Sequence, residues 1–319
     1  MNSNLTAVVT IYKVKEYLDK CLRSIEMQRY KSFVVLLIVG SNDEECIEIC
    51  KEYEKKDDRF RVIIAEPKGL SDARNVGINN TNTKYITFID GDDYLPDTAF
   101  EILMRSINDD CDIVIGNYKI DTGERILEPK GHICEGIYSP QEALTAFLIG
   151  HDIQFTVAWG KIYNTKLFKD NDIEYPVGKL HEDNLTTYKL LAKAGKITYI
   201  DDPVYCYVQR ENSLSFNINI EKENVVVNDI PFLREYLRGF DDLKNEIDAY
   251  EIGARMSLMI RMTRHKNAYY TEFVKVFLRI KELNYLHNPL IRMRMKVLCI
   301  FVSCFPKLCY FVMGATRWN

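Results

Sequence analysis

Tyr85-Ile86-Thr87-Phe88-Ile89-Asp90-Gly91-Asp92-Asp93 is the stretch that decides the fold. Its first five residues are all β-branched or aromatic, which predicts a strand buried on both faces. The run then ends in three near-adjacent carboxylates. Like charges at that spacing repel one another, and desolvation adds to the cost. A divalent cation relieves the penalty, because hard cations take carboxylate oxygens. Strand ends of open α/β sheets are also where ligands bind. The stretch therefore reads as a metal–diphosphate site.

The flanking sequence supports such a sheet. Apolar runs at Leu5–Ile11, Phe33–Val39, Phe60–Ala65 and Asp112–Asn117 alternate with helical patterns. The helical patterns lie at Lys15–Met27, Glu44–Lys56, Leu70–Asn79 and Asp97–Ser106. Continuous strands separated by helices predict an α/β fold, a mostly parallel sheet with helices on both faces. After Tyr118 the rhythm changes, and Gly123, Pro129, Gly131 and Gly136 predict turns and antiparallel pieces. Helices follow at Pro140–Ile149 and His181–Ala194, with short strands at Ile197–Ile200 and Val204–Val208. From Glu221 the chain reads as helical over 221–238, 243–265 and 270–287.

The net charge of −4 over 319 residues argues against a general nucleic-acid binder. No secretory signal is visible at Met1–Tyr12, and nine scattered cysteines form no CxxC or zinc-spaced cluster. Reduced thiols in a cytoplasm are the expectation. The C-terminal stretch is different in kind. Leu283–Asn319 holds no Asp or Glu but has Arg292, Arg294, Lys296, Lys307 and Arg317, leaving −9 on residues 1–282. On one helical wheel, Arg292, Lys296, Lys307 and Arg317 fall within roughly 80° of each other. Trp318 ends the chain, where an interfacial aromatic would be useful. Residues 289–319 thus read as a basic amphipathic segment on an anionic membrane surface, with packing against the protein body as the alternative. Val297–Phe305 is too short to span.

Three stretches of the first hundred residues occur in a telling order: Tyr17–Ile25, Gly69-Leu70-Ser71-Asp72-Ala73-Arg74-Asn75-Val76-Gly77, and Phe88–Leu95. Trp159-Gly160-Lys161-Ile162-Tyr163, His181-Glu182-Asp183-Asn184 and Tyr205-Cys206-Tyr207-Val208-Gln209-Arg210 follow. Together they resemble a bacterial polysaccharide-biosynthesis type of family 2 glycosyltransferase, of the Rossmann-like GT-A fold, over about residues 5–216. The resemblance implies a donor-binding half (1–118), an acceptor-binding half (119–216) and a helical C-terminal region (217–319). It implies that Asp90 and Asp92 match the DxD motif, with Asp92 and Asp90 on Mn²⁺ or Mg²⁺. Asp93 would orient the donor sugar. Arg74 and Arg210 would hold the nucleotide diphosphate, and Thr10, Tyr12 and Ser41 would border the nucleotide. Asp183 would be the catalytic base of an inverting displacement, with Glu182 orienting the acceptor. The implied donor is a UDP-hexose or UDP-N-acetylhexosamine. The implied acceptor is a lipid-linked saccharide of a capsule, exopolysaccharide or lipopolysaccharide, at the inner face of the cell membrane.

Two departures from the family pattern meet at one place. Thr10-Ile11-Tyr12-Lys13 replaces a Pro-Val-Tyr-Asn type sequence, and Ile38-Val39 stands where two Asp residues usually precede Gly-Ser. One of those Asp residues recognises the base. Its loss costs about 1.5–3 kcal/mol, enough to weaken a donor without abolishing transfer. The alternative reading is a non-catalytic paralogue that partners an active transferase on the membrane.

Overall fold

The first strand, β1 (Leu5–Ile11), is buried at all seven positions. It therefore needs neighbours on both edges and both faces. On one edge it pairs in parallel with β2 (Phe33–Gly40), which pairs in parallel with β3 (Phe60–Ala65). On the other edge it pairs in parallel with β4 (Tyr85–Asp90). The helices α1 (Lys15–Glu26), α2 (Glu44–Lys56) and α3 (Leu70–Asn80) make the crossovers. The computed structural model describes residues 3–66, 68–107, 111–129, 131–150, 152–209, 224–263 and 268–315.

Alternation along β1 divides the two faces. Ala7 and Val9 join Leu18, Leu22, Cys46, Cys50 and Phe100 in one core. Val8 faces α3, where a Cβ on Gly77 would lie 2.3 Å from a Val8 methyl. That absence of a side chain lets α3 lie directly on the sheet. The core on the α3 side is aromatic: Phe88 touches Tyr163, Phe168 and Tyr175.

Beyond β4 the sheet becomes mixed. After α4 (Ala99–Arg105) comes β5 (Ile113–Asp121), which is not the next strand over. A short strand, β8 (Lys161–Asn164), enters antiparallel between β4 and β5. Strand β6 (Ile126–Leu127) pairs with β5, and β7 (Gly136–Tyr138) with β9 (Ile197–Val208). The sheet order is β3-β2-β1-β4-β8-β5-β9-β7, with β6 off the path, nine strands in all among the described residues. Strand β9 runs parallel to β5 through an irregularity at Asn117 and Pro203, where two short strands were predicted. The helices α5 (Pro140–Ile149), α6 (Lys166–Lys169) and α7 (Glu182–Lys193) complete this part.

The chain divides into two compact units, one of residues 1–147 and 151–213, the other of 148–150 and 214–319. The second unit is helical: α8 (Val225–Tyr236), α9 (Lys244–Thr263), α10 (Tyr270–Glu282), α11 (Met293–Cys304) and α12 (Pro306–Ala315). The single helical wheel drawn over the C-terminal stretch does not survive, because the chain breaks at Phe305 and restarts at Pro306. One side of this helix pair buries Cys299, Val302, Cys309, Tyr310 and Met313 in the core of the unit. The other side leaves Val297, Ile300, Phe301, Phe305, Leu308, Phe311 and Val312 each 45–56% exposed. Arg317 and Trp318 lie outside the described residues.

Candidate active site

The carboxylate turn at the end of β4 is stitched to β1 and to β9. A Cβ on Gly91 would sit 3.0 Å from the Thr10 carbonyl oxygen, so the turn lies close against β1. The Thr10 hydroxyl donates to Asp90 Oδ1 at 3.1 Å. On the far side Tyr205 of β9 serves two partners. Its hydroxyl donates to Asp93 Oδ2 at 2.8 Å and accepts the Asp90 N–H at 3.1 Å. Asp93 Oδ1 accepts the Val208 N–H at 2.7 Å. Asp93 is 2% exposed. Burial first, then Asp90 and Asp92, push its carboxyl well above the usual range. Both of its oxygens thus engage β9, and the side chain expected to orient a sugar is placed as a buried anchor of the turn. Asp92 is half-buried beside it.

Arg74 is the centre of the site. It lies on α3 one turn before Gly77, so the close approach of that helix carries it under the end of β4. It is 1% exposed. Its Nη1 donates to Glu182 Oε1 at 2.6 Å and Asp183 Oδ1 at 2.9 Å, while Nη2 donates to Asp90 Oδ1 at 3.2 Å. Its guanidinium carbon lies 5.1 Å from the centroid of the Tyr175 ring. The expectation was an arginine reaching for a diphosphate. Its terminal nitrogens join three carboxylates drawn from β4 and α7.

Glu182 and Asp183 open α7, where carboxylates favour the helix N-terminus. The residue before them, His181, has φ +56°, a left-handed backbone that turns the chain into the helix. Such conformations are strained and collect at functional sites. Asp183 is pushed up to about 6, by burial first; Arg74 and Lys161 pull against that, while Glu182 and Asp90 add to it. A carboxylate near that range can accept a proton at neutral pH and is not a spent acid.

The region expected to border a nucleotide lies next door. A cavity of about 990 Å³ opens at the C-terminal ends of β1 and β2, lined among others by Lys13, Tyr17, Asn42, Glu45 and Gln209. It does not enclose the carboxylates; Val208 is on its wall and bonds to Asp93. Thr10 is buried, Tyr12 is 49% exposed and Ser41 is exposed. Ile38 and Val39 are both buried in β2 and present no polar group. Asp43 is turned toward its own scaffold, accepting the Lys13 N–H at 2.5 Å. Arg210 lies outside the described residues.

Among the described residues no group of three or more His, Cys, Asp or Glu is placed to hold a metal ion. The protein's own donor set at the turn is two carboxylates, Asp90 and Asp92, hard oxygen donors of the kind Mg²⁺ and Mn²⁺ accept. That set suits a cation that arrives with a diphosphate better than a resident one. Trp159 is 7% exposed and stacks on Tyr205, centroids 4.4 Å apart, so it supports the turn from behind. Sequence reasoning missed Tyr205 as the pin of the turn. The Tyr205-Cys206-Tyr207 alternation was the available signal, since it sends both tyrosines to one face.

Comparison with known proteins agrees with this architecture. The profile of Glycosyl transferase family 2 matches residues 6–171. Glycosyltransferase GlyA of Streptococcus pneumoniae serotype 4 is 33% identical over 67% of this chain, which spans only about 32% of GlyA. Glycosyltransferase GlyG of the same organism is 28% identical over 67% of this chain and 73% of its own length. The crystal structure of S. aureus TarS 1–349 superposes over 98% of this chain and 90% of its own, with TM-score 0.65 and 18% identity. The same TarS fragment in complex with UDP-GlcNAc gives TM-score 0.64. At that identity the likeness establishes the fold.

Proposed function

The chain belongs to glycosyl transferase family 2, and on that premise we propose an inverting, metal-assisted transferase that moves a hexose or N-acetylhexosamine from a nucleotide sugar to a saccharide. The observation that carries this reading is the Arg74 guanidinium, which ties Asp90 of the turn to Glu182 and Asp183. It gives one fixed spacing to the diphosphate end and the proton-accepting end of a displacement. The proposed division is donor binding by 1–118, acceptor binding by 119–216 and a helical C-terminal region over 217–319. A UDP-linked donor is favoured by the TarS complex with UDP-GlcNAc.

In this reading Asp183 takes the proton of the acceptor hydroxyl as its oxygen attacks the anomeric carbon. The new C–O bond forms on the face opposite the leaving nucleoside diphosphate, so configuration inverts. Glu182 holds the acceptor. Thr10, Tyr12 and Ser41 line the nucleotide end, and Arg210 adds charge on the diphosphate. Asp92 and Asp90 would hold Mn²⁺ or Mg²⁺, whose chemistry is to stabilise the negative charge on the departing diphosphate. Asp93, held by Tyr205 and Val208, fixes the turn on which the donor sugar is oriented.

The acceptor is proposed to be lipid-linked, in polysaccharide synthesis at a membrane surface. No helix among the described residues is long and apolar enough to cross a membrane. The support is the outer side of α11 and α12. Val297, Ile300 and Phe301 form one exposed apolar stripe, and Leu308, Phe311 and Val312 another. Exposed Arg292, Arg294 and Lys307 border them. Each such apolar side chain removed from water contributes about 1.5–3 kcal/mol, and each cation near an anionic surface about 1 kcal/mol.

Calorimetric titration with UDP, GDP, CDP and TDP, with and without Mn²⁺, tests the donor site. Metal-dependent binding of one nucleotide is expected; a folded protein that binds none would favour the non-catalytic partner reading. Flotation with phosphatidylglycerol vesicles tests the surface. The variant Val297→Ser/Phe301→Ser/Phe311→Ser keeps the buried side intact and should stay in the soluble fraction. Undiminished flotation would remove the membrane assignment.

A further inference from the structure

The Trp159–Tyr163 stretch contains one residue that this mechanism leaves unused. Lys161 is the first residue of β8, directly after Gly160, whose φ of +67° turns the chain into the strand. Lys161 is 0% exposed. Its ammonium donates to the Val157 carbonyl, a neutral acceptor that satisfies a hydrogen bond but not a charge. A lysine in such a place is poor core material: an uncompensated buried charge costs several kcal/mol. It is relieved either by loss of the proton or by an opposite charge nearby.

The surrounding charges are unequal. Among the ion pairs of the described residues, Asp90 from β4 and Glu182 and Asp183 from α7 face Arg74 alone, two negative charges in excess. The Thr187 hydroxyl donates to the Thr156 carbonyl at 2.6 Å and so fastens α7 to the segment that leads into β8. Burial pulls the Lys161 amine down to about 7; Asp183 works against that and Arg74 adds to it. In return Lys161 favours the ionised form of Asp183. Among the described residues Asp183 also acts on Tyr163 of β8 and Tyr175 of the loop before α7. Burial pushes both phenols well up, so both stay neutral.

We propose that Lys161 is a positioning residue of the transfer reaction, the second cation of the Arg74 cluster, which keeps Asp183 ionised and able to accept a proton. It touches neither sugar nor nucleotide. When the acceptor O–H bond breaks, its proton passes to an Asp183 oxygen, and the electron pair left on the acceptor oxygen forms the new bond to the anomeric carbon. The ammonium sets the pH above which Asp183 is ready for that step. This inference rests on the assignment of Asp183 as the base.

The test is the pH profile of kcat/KM between pH 5 and 9 for the full chain and for Lys161→Met, Lys161→Gln, Lys161→Arg and Asp183→Asn. Loss of the cation should move the acid limb of Lys161→Met and Lys161→Gln upward by about one pH unit, a tenfold loss on that limb. Transfer should recover toward the parent rate near pH 9, and Lys161→Arg should follow the parent. Calorimetric nucleotide binding by each variant shows that it is folded. A limb that does not move in whichever neutral variant folds, or an equal loss at every pH, would overturn the proposal. Near-parent transfer by Asp183→Asn would instead remove the assignment on which it rests.

Discussion

The molecule solves the problem of buried charge twice, in opposite ways. In the first unit one arginine, Arg74, faces three acids, Asp90, Glu182 and Asp183. In the second, one acid faces three arginines. Glu251 of α9 is 1% exposed, with Arg234 at 2.7 Å, Arg255 at 2.8 Å and Arg279 at 3.2 Å. The second network closes on itself, because Arg234 also pairs with Asp248 and Arg279 with Glu282. Among the described residues its three positive and three negative charges cancel. Burial alone would raise Glu251, but the arginines win and hold it below the usual range. Asp183, in the unbalanced cluster, is raised. A neutral network holds helices together. A network with negative charge to spare is ready for a cation or a proton.

The largest separation between the two should come from Asp183→Asn. It keeps shape and removes the proton acceptor, so kcat should fall by about 10²–10⁴ while calorimetric nucleotide affinity stays within a few-fold. Residual transfer near the parent rate would end the comparison, since the unbalanced cluster would then do nothing that the balanced one does not. Next comes removal of each hub. Arg74→Met strands three acids, and denaturant unfolding should show about 3–5 kcal/mol of lost stability together with lost transfer. Glu251→Gln strands arginines that are 15–45% exposed and reach water. It should lose only about 1.5–3 kcal/mol, with transfer per folded molecule unchanged.

A third effect separates the networks by pH. Asp183 must be ionised to work, so with its value near 6 transfer should fall about tenfold per unit as pH drops below that. Glu251 is held down, so its stabilisation is complete above the unfolded glutamate value, about 4.3, and is lost only as pH falls through the lower folded value. Between pH 6 and 5, rate assays should therefore show a falling kcat/KM while the contribution of Glu251 to thermal melting stays constant. The smallest effect should come from Tyr205→Phe. It deletes the hydroxyl shared by Asp90 and Asp93, and about 1–1.5 kcal/mol should disappear from metal-dependent nucleotide binding. Unchanged binding would show that the turn keeps its shape without the pin.

What the sequence made legible were the features written locally. The buried runs at Leu5–Ile11 and Phe60–Ala65 and the helices at Glu44–Lys56 and Pro140–Ile149 lie where their patterns put them. Strand β8 was not legible, because it has four residues, two of them Lys161 and Asn164, and no period to count. The single strand β9 was split in the reading at Asp201-Asp202-Pro203, where the register shifts. The carboxylates of the site were visible as residues, yet their meeting was not. Arg74 reaches Glu182 and Asp183 across 108 and 109 positions, and no local pattern reports a contact of that separation. The same holds for Asp93, whose partners Tyr205 and Val208 lie 112 and 115 residues away.

The late strand in the middle of the sheet has a consequence for how the chain is made. Strand β8 lies between β4 and β5, so the residues up to Asn117 fold with a gap in the sheet that only Lys161–Asn164 can fill. On the ribosome, at about 5–20 residues per second, the edge of β4 must wait several seconds for its neighbour. A fragment ending near residue 118 would keep that edge bare and invite pairing with other chains. A chain stalled before Asn164 leaves β4 and β5 without the strand that joins them.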